Sequence, residues 1–207
     1  MDTPSFAYDS AMSIAPLFHL EAQGLTHGPI HNLNFTWPAG VSWVCGNEGK
    51  GKTTLLRLLA GDLKPTTGQV ITPEGGVFWM DLQSPEHDAT TVQSCWDDAR
   101  TRYPRWNDDM LNDLTEALNM NAHRDKQLHM LSTGSRRKVM VIAALASGAA
   151  VTLLDQPLAA LDFGSIRLIK EFLHEAAEHP SRAWIVADYT APDDVPLASV
   201  LNLDALQ

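Results

Sequence analysis

The sequence is short of cysteine, of basic residues and of long apolar runs, and each shortage closes off a class of protein. Two cysteines, Cys45 and Cys95, occur in 207 residues. That is too few for the disulfide framework of a small secreted domain, so reduced thiols in a reducing compartment are expected. Lysine and arginine number 15 against 25 aspartates and glutamates, a net charge of −10. A surface of that sign repels phosphate backbones and anionic lipid, so neither nucleic acid nor a bare membrane is expected as the main partner. The start, Met1-Asp2-Thr3-Pro4, has no basic segment ahead of an apolar one, and no secretory signal is expected. The apolar, uncharged stretch Val139 to Leu154 is 16 residues long, short of the roughly 20 needed to span a bilayer. Ser147, Gly148 and Thr152 interrupt it, so it reads as the end of a buried helix, a turn at Ser147-Gly148 and a short buried strand.

What remains is ordinary globular material, 44% hydrophobic and 19% charged, enough for one domain or a core with a subdomain. The first dozen residues lack periodicity and read as a loose arm. Phe18–Ala22 and Asn32–Thr36 alternate as strands around a turn at His27-Gly28-Pro29. Val41–Cys45 is a short apolar strand, and Leu55, Leu56, Leu58, Leu59 and Ala60 follow at helical spacing with Gly61 as the cap. Pro65 and Gly68 bracket a turn before Gln69-Val70-Ile71. From about Ser84 to Lys138 the chain becomes richer in Asp, Asn, Trp and Arg, and Leu111, Leu114 and Leu118 mark an amphipathic helix. Val151–Asp155 then reads as a buried parallel strand, Ile166, Ile169, Phe172 and Leu173 as a helix, and Ala183–Ala187 as a last buried strand. Strands alternating with helices around a helical insertion predict an α/β core with a helical subdomain.

Between the strand at Cys45 and the leucine-rich helix, Gly46-Asn47-Glu48-Gly49-Lys50-Gly51-Lys52-Thr53 fits G-x-x-x-x-G-K-[ST], with Thr54 next. Glycines let backbone N–H groups close on a polyphosphate, the helix aims its positive end at the anion, and Lys52 reaches the β- and γ-phosphates. The Thr53 hydroxyl is placed to ligate Mg²⁺. Asp155 ends a buried strand 103 residues beyond Lys52; beside a phosphate loop, a carboxylate in that place is expected to hold the same ion. This predicts a P-loop NTPase (RecA-like) core.

Further motifs carry a family resemblance. Leu154-Asp155-Gln156-Pro157 with Leu161-Asp162 resembles the extended Walker B and D-loop of ATP-binding cassette (ABC) ATPases. Leu131-Ser132-Thr133-Gly134-Ser135 resembles their signature loop, and Ser132 stands 23 residues before Asp155. Met80-Asp81-Leu82-Gln83 sits where the Q-loop belongs, followed by Thr91-Val92. Residues Gly49–Leu56, Ala60-Gly61 and Pro65–Gly68 are similar to the family beyond the phosphate loop, and the resemblance covers about Leu17 to Leu203. It implies a small antiparallel β region on the core. It also implies three segments: 13–83 and 139–207 as halves of the ATP-binding core, and 84–138 as a helical subdomain ending in the signature. Such domains sandwich ATP and Mg²⁺ head to tail between two cassettes, as a homodimer or a heterodimer. Ser132 and Gly134 would face the partner's nucleotide, and Gln83 would contact Mg²⁺ or the attacking water. The helical subdomain would dock on a separate membrane permease, leaving the chain cytoplasmic and peripheral on the inner face of the membrane. The compact length resembles the cassettes of cytochrome c biogenesis haem exporters.

Three departures bear on activity. Where the family places a glutamate as general base, this chain has Gln156, which cannot take a proton; loss of a general base costs about 10²–10⁴ in rate. Glutamine can still orient water. Tyr189 occupies the switch-histidine position, and Thr133 and Ser135 replace the usual glycine and glutamine of the signature. Lys50 adds charge where a small residue is usual, and the adenine stacker is His27 or Phe18. Two readings stand: an ATPase subunit hydrolysing slowly, or a nucleotide-responsive regulatory cassette paired with an active one. A small-molecule kinase explains only Gly46–Thr53. His174 and His179 are five apart and diverge by about 140° on a helix, which excludes a shared metal. Arg136-Arg137-Lys138 reads as a solvated basic face. Trp96, Tyr103, Arg105 and Trp106 form either a docking surface or the subdomain's own core.

Overall fold

The computed structural model describes residues 20–82 and 84–206. Its centre is strand β3 (Gly40–Cys45), all six residues buried. It lies in a five-stranded parallel sheet with β5 (Val77–Phe78), β6 (Val151–Asp155), β7 (Ala183–Ala187) and β8 (Ser199–Asn202), ordered β5-β6-β7-β3-β8. Strands covered on both faces need no polar side, which is why Val41–Cys45, Val151–Leu154 and Ala183–Ala187 are mostly apolar, with Ser42 and Thr152 buried among the apolar side chains.

The period of two still divides those runs between two cores. Trp43, Cys45, Leu154, Trp184 and Val186 face one side, with helices α2 (Val92–Arg102), α3 (Asp108–Ala117), α4 (Thr133–Ala146) and α5 (Phe163–Ala176). Val44, Leu153, Ile185 and Ala187 face the other, against α1 (Lys52–Ala60) and a second sheet. That sheet is antiparallel, β2 (Ile30–Trp37), β1 (Leu20–His27) and β4 (Thr67–Ile71), ordered β2-β1-β4. Helix α4 is buried without a break from Val139 to Ala146, so it carries no amphipathic stripe and joins the helical region to the sheet.

Most expected elements are present, and three differ. The strand expected from Phe18 is described from Leu20 onward, and Phe18 lies outside the described residues. Ala183–Ala187 is not the last strand: β8 pairs parallel with β3, Ser42 opposite Ser199 and Val44 opposite Leu201. Its burial is broken, which hides it among loop residues. Arg136-Arg137-Lys138 is not a solvated face, because α4 lies at a seam where each cation finds a partner. Arg136 pairs with Asp88 at 2.8 Å, and Arg137 donates to the Ala159 carbonyl at 2.6 Å. Lys138 donates to Asp162 at 2.8 Å and to the Leu118 carbonyl at 3.2 Å. Trp96 is core, 1% exposed, with its indole N–H on the Val139 carbonyl at 3.1 Å. No helix among the described residues is long and apolar enough to cross a membrane.

Candidate functional site

The site forms where β3 ends and α1 begins. Gly51 stands at φ 97° with its Cα against Pro29 and Ile30; an added Cβ would lie 2.7 Å from Pro29 Cγ. Only glycine suits both that backbone and that approach. The β1–β2 turn thus seats the loop, and His27, at the end of β1, lies next to it in the chain.

Lys52, the first residue of α1, folds back under the loop. Its ammonium donates to the carbonyls of Gly46 at 2.6 Å and Asn47 at 2.9 Å, and the residue is 6% exposed. No carboxylate lies within the 4.0 Å ion-pair distance of it among the described residues. A buried ammonium held by carbonyls alone is electrostatically incomplete, and an anion in the loop would complete it.

Beside it, Thr53 Oγ1 donates to Asp155 Oδ2 at 2.5 Å. The other oxygen, Asp155 Oδ1, is buried with no hydrogen-bond partner. Burial pushes the Asp155 carboxyl above its usual range, opposed by the Thr53 hydroxyl and by the charges of Lys52 and Arg137. A hydroxyl and a carboxylate with an unused oxygen form a hard donor pair that fits Mg²⁺.

Gln156 follows Asp155 in a left-handed conformation, φ 46°, its N–H on the Ala187 carbonyl at 2.8 Å. Thr53, Asp155 and Gln156 line one wall of a cavity of about 360 Å³, and Thr133, Arg136 and Arg137 of α4 line another. Trp79 to Leu82 close a third side. Gln83 lies outside the described residues. Tyr189, just past β7, lays its ring against Lys52, with the ammonium 4.6 Å from the ring centroid.

Ser132 and Gly134 lie at the start of α4. Ser132 caps that helix, its hydroxyl accepting from the Ser135 N–H at 3.1 Å. Gly134 packs on the segment after Asp155: an added Cβ would meet the Ala160 carbonyl oxygen at 2.3 Å. Asp162 caps α5 and accepts from Ser165 N–H, Ser165 Oγ and Lys138, contacts that hold its carboxyl well below the usual range, the Lys138 bond first. The start of α4 and the segment Ala160–Asp162 are therefore one packed unit.

Sequence reasoning missed Asp204. Its carboxylate accepts from the Asn47 backbone N–H at 3.1 and 3.2 Å and from Asn47 Nδ2 at 3.0 Å, with Lys50 Nζ at 3.8 Å. The loop's outer arm, Asn47 to Lys50, is thus strapped from the chain's far end, 157 residues away. Nothing local to Asp204 announces this, since only the β3–β8 pairing brings it there.

A family model described as ABC transporter matches residues 30–159. The chain is 27% identical over 176 residues to ABC transporter I family member 10 of Arabidopsis thaliana, covering 79% of this chain and 64% of that protein. It is 28% identical over 179 residues to the petrobactin import ATP-binding protein FpuD of Bacillus anthracis, covering 76% and 65%. It is also 28% identical over 173 residues to the cytochrome c biogenesis ATP-binding export protein CcmA of Tatumella citrea, covering 79% and 81%. The chain thus spans a little under two thirds of the first two. Among solved structures, a putative ABC transporter ATP-binding protein from Pyrococcus furiosus superposes with a TM-score of 0.69 at 23% identity, over 90% of this chain and 98% of that one. At that identity the likeness speaks for the fold: an α/β cassette with an antiparallel β subdomain and a helical subdomain.

Proposed function

The chain belongs to the ABC transporter family, and from that premise we propose that it is the ATP-binding subunit of a transporter whose membrane permease is a separate chain. The observation that carries this reading is the buried Lys52 ammonium, bonded only to backbone carbonyls, beside a Thr53–Asp155 pair with one carboxylate oxygen unpartnered. ATP phosphates complete the first. Thr53 and Asp155 hold Mg²⁺, which when bound screens charge on the β- and γ-phosphates.

Residues Gly46 to Thr54 wrap the phosphates with backbone N–H groups, and the start of α1 adds its dipole. Ser132 and Gly134 serve the nucleotide of a second cassette, identical or not, packed head to tail. On this reading residues 13–83 and 139–207 form the ATP-binding core, and 84–138, the helical subdomain, meets the permease at the inner membrane face.

Hydrolysis in this chain is slow, because the position next to Asp155 offers an amide. Gln156 lines the cavity with Thr53 and Asp155, so it can orient a water molecule but cannot take its proton. Tyr189 replaces an ionisable imidazole with a phenol. Both substitutions weaken attack of water on the γ-phosphate and spare the binding residues, which favours a second reading as well: a regulatory cassette that binds ATP and pairs with an active partner.

Steady-state ATP turnover by the purified chain, with Lys52→Ala as the blank, tests this. Turnover near the blank with ATP still bound, raised at least ten-fold by Gln156→Glu, is expected. Brisk turnover that Gln156→Glu does not raise refutes the slow-hydrolysis reading.

A further inference from the structure

The Lys52 ammonium has three N–H donors. Two are spent on the carbonyls of Gly46 and Asn47, and the remaining approach is covered by the ring of Tyr189, 4.6 Å from ammonium to centroid. Two carbonyls and an aromatic face thus surround the ammonium, neutral partners that leave its charge without a counter-ion. Tyr189 is itself 51% exposed, so its ring has open solvent to move into. Its backbone touches the loop too, the Tyr189 carbonyl accepting from the Gly46 N–H at 3.4 Å.

We propose that Tyr189 is a positioning residue whose ring faces the phosphate-binding lysine, and that ATP and ADP bind by displacing that ring. This rests on the reading of the loop as an ATP site and goes beyond it. Tyr189 then sets nucleotide affinity through its aromatic face, not γ-phosphate chemistry through its hydroxyl. A phosphate oxygen and the ring compete for the same side of one ammonium, so the ring's attraction is subtracted from the affinity of any nucleotide carrying a β-phosphate.

The series Tyr189→Phe and Tyr189→Ala separates ring from hydroxyl. Dissociation constants for fluorescent N-methylanthraniloyl ATP and ADP are measured on the wild-type chain, both variants and Lys52→Ala. Phenylalanine keeps the face and is expected within about two-fold of wild type. Alanine removes it and is expected to bind about three- to ten-fold more tightly, the range a partly desolvated cation–π contact provides. Alanine binding unchanged or weaker overturns the proposal, and so does phenylalanine behaving like alanine, since the hydroxyl would then be the active part. Wild type binding no better than Lys52→Ala refutes the ATP-site reading itself, a separate failure.

A second measurement does not depend on a variant keeping its fold under truncation. The chain has three tyrosines, so 3-fluorotyrosine labelling gives three fluorine resonances, with that of Tyr189 assigned by its loss in Tyr189→Phe. Saturating ATP is expected to move that resonance toward its solvent-exposed position. A resonance unmoved at saturation overturns the proposal.

Discussion

Gly134 and Gly164 are each the second residue of a helix, α4 and α5 respectively, yet alanine at the two sites is expected to act in opposite directions. Helix propensity favours alanine over glycine at both, by a few tenths to about 1 kcal/mol near a helix start. Space decides the rest. At Gly164 the new Cβ would have its nearest neighbour, Asp162 Oδ1, at 3.4 Å, an ordinary contact. At Gly134 it would lie 2.3 Å from the Ala160 carbonyl oxygen, with Ala160 itself in a left-handed conformation at φ 60°. A clash with backbone cannot be relieved by a rotamer change, and overpacking of this kind costs about 1–3 kcal/mol.

Net of propensity, Gly134→Ala is expected to lose about 1–2 kcal/mol and Gly164→Ala to gain about 0.5 kcal/mol. In a chain this long each kcal/mol moves Tm by about 2–4 °C. Gly134→Ala should therefore melt about 2–8 °C below wild type and Gly164→Ala about 1–2 °C above it, by circular dichroism at 222 nm. Equal shifts in the two variants, or a Gly134→Ala protein as stable as wild type, would refute the packing of Gly134 on Ala160. Because Gly134 also belongs to the proposed nucleotide-facing loop, the stability measurement is made on the nucleotide-free chain.

Two further outcomes follow from the site. Asp155 has its carboxyl pushed above the ordinary 3.8, chiefly by burial, so the folded state binds that proton more tightly than the unfolded one. The carboxyl's contribution to stability is full below 3.8 and is lost as pH rises through the raised value. Asp155→Asn should thus raise Tm of the nucleotide-free protein at pH 7, with the gap closing on acidification, while Mg²⁺-ATP binding falls; a lower Tm at pH 7, or a gap that widens in acid, contradicts this. Asp204→Ala removes the acceptor for Asn47 N–H and Nδ2, partly exposed bonds worth about 1 kcal/mol together. It should cost about 2–4 °C in Tm and raise hydrogen exchange at Asn47 to Lys50; unchanged exchange there would mean Asp204 does not strap the loop.

The sequence by itself determined the elements whose chemistry is local. Lys52 and Thr53 are legible because a phosphate loop is contiguous, its glycines, lysine and hydroxyl all falling between Gly46 and Thr53. Buried parallel strands announce themselves because both faces must be apolar, and Gly61 announces the end of α1 because the left-handed cap at φ 74° suits glycine. The pairing of Asp155 with Thr53 was reachable as well, since a carboxylate ending a buried strand beside such a loop has few other tasks.

Tertiary structure alone decided what depends on residues distant in the chain meeting. Strand β8 is too short and too exposed to show a pattern, yet its pairing with β3 delivers Asp204 to Asn47. The run Arg136 to Lys138 looks solvated by composition, but α4 lies at a seam that supplies Asp88, the Ala159 carbonyl and Asp162 as partners. Tyr189 reads in sequence as a substituted switch residue, and only the end of β7 beside α1 puts its ring over Lys52. Hydrophobic periodicity records which face of an element is buried; it carries no information on which polar group waits across the gap, because that is set by how the sheets and helices close on one another.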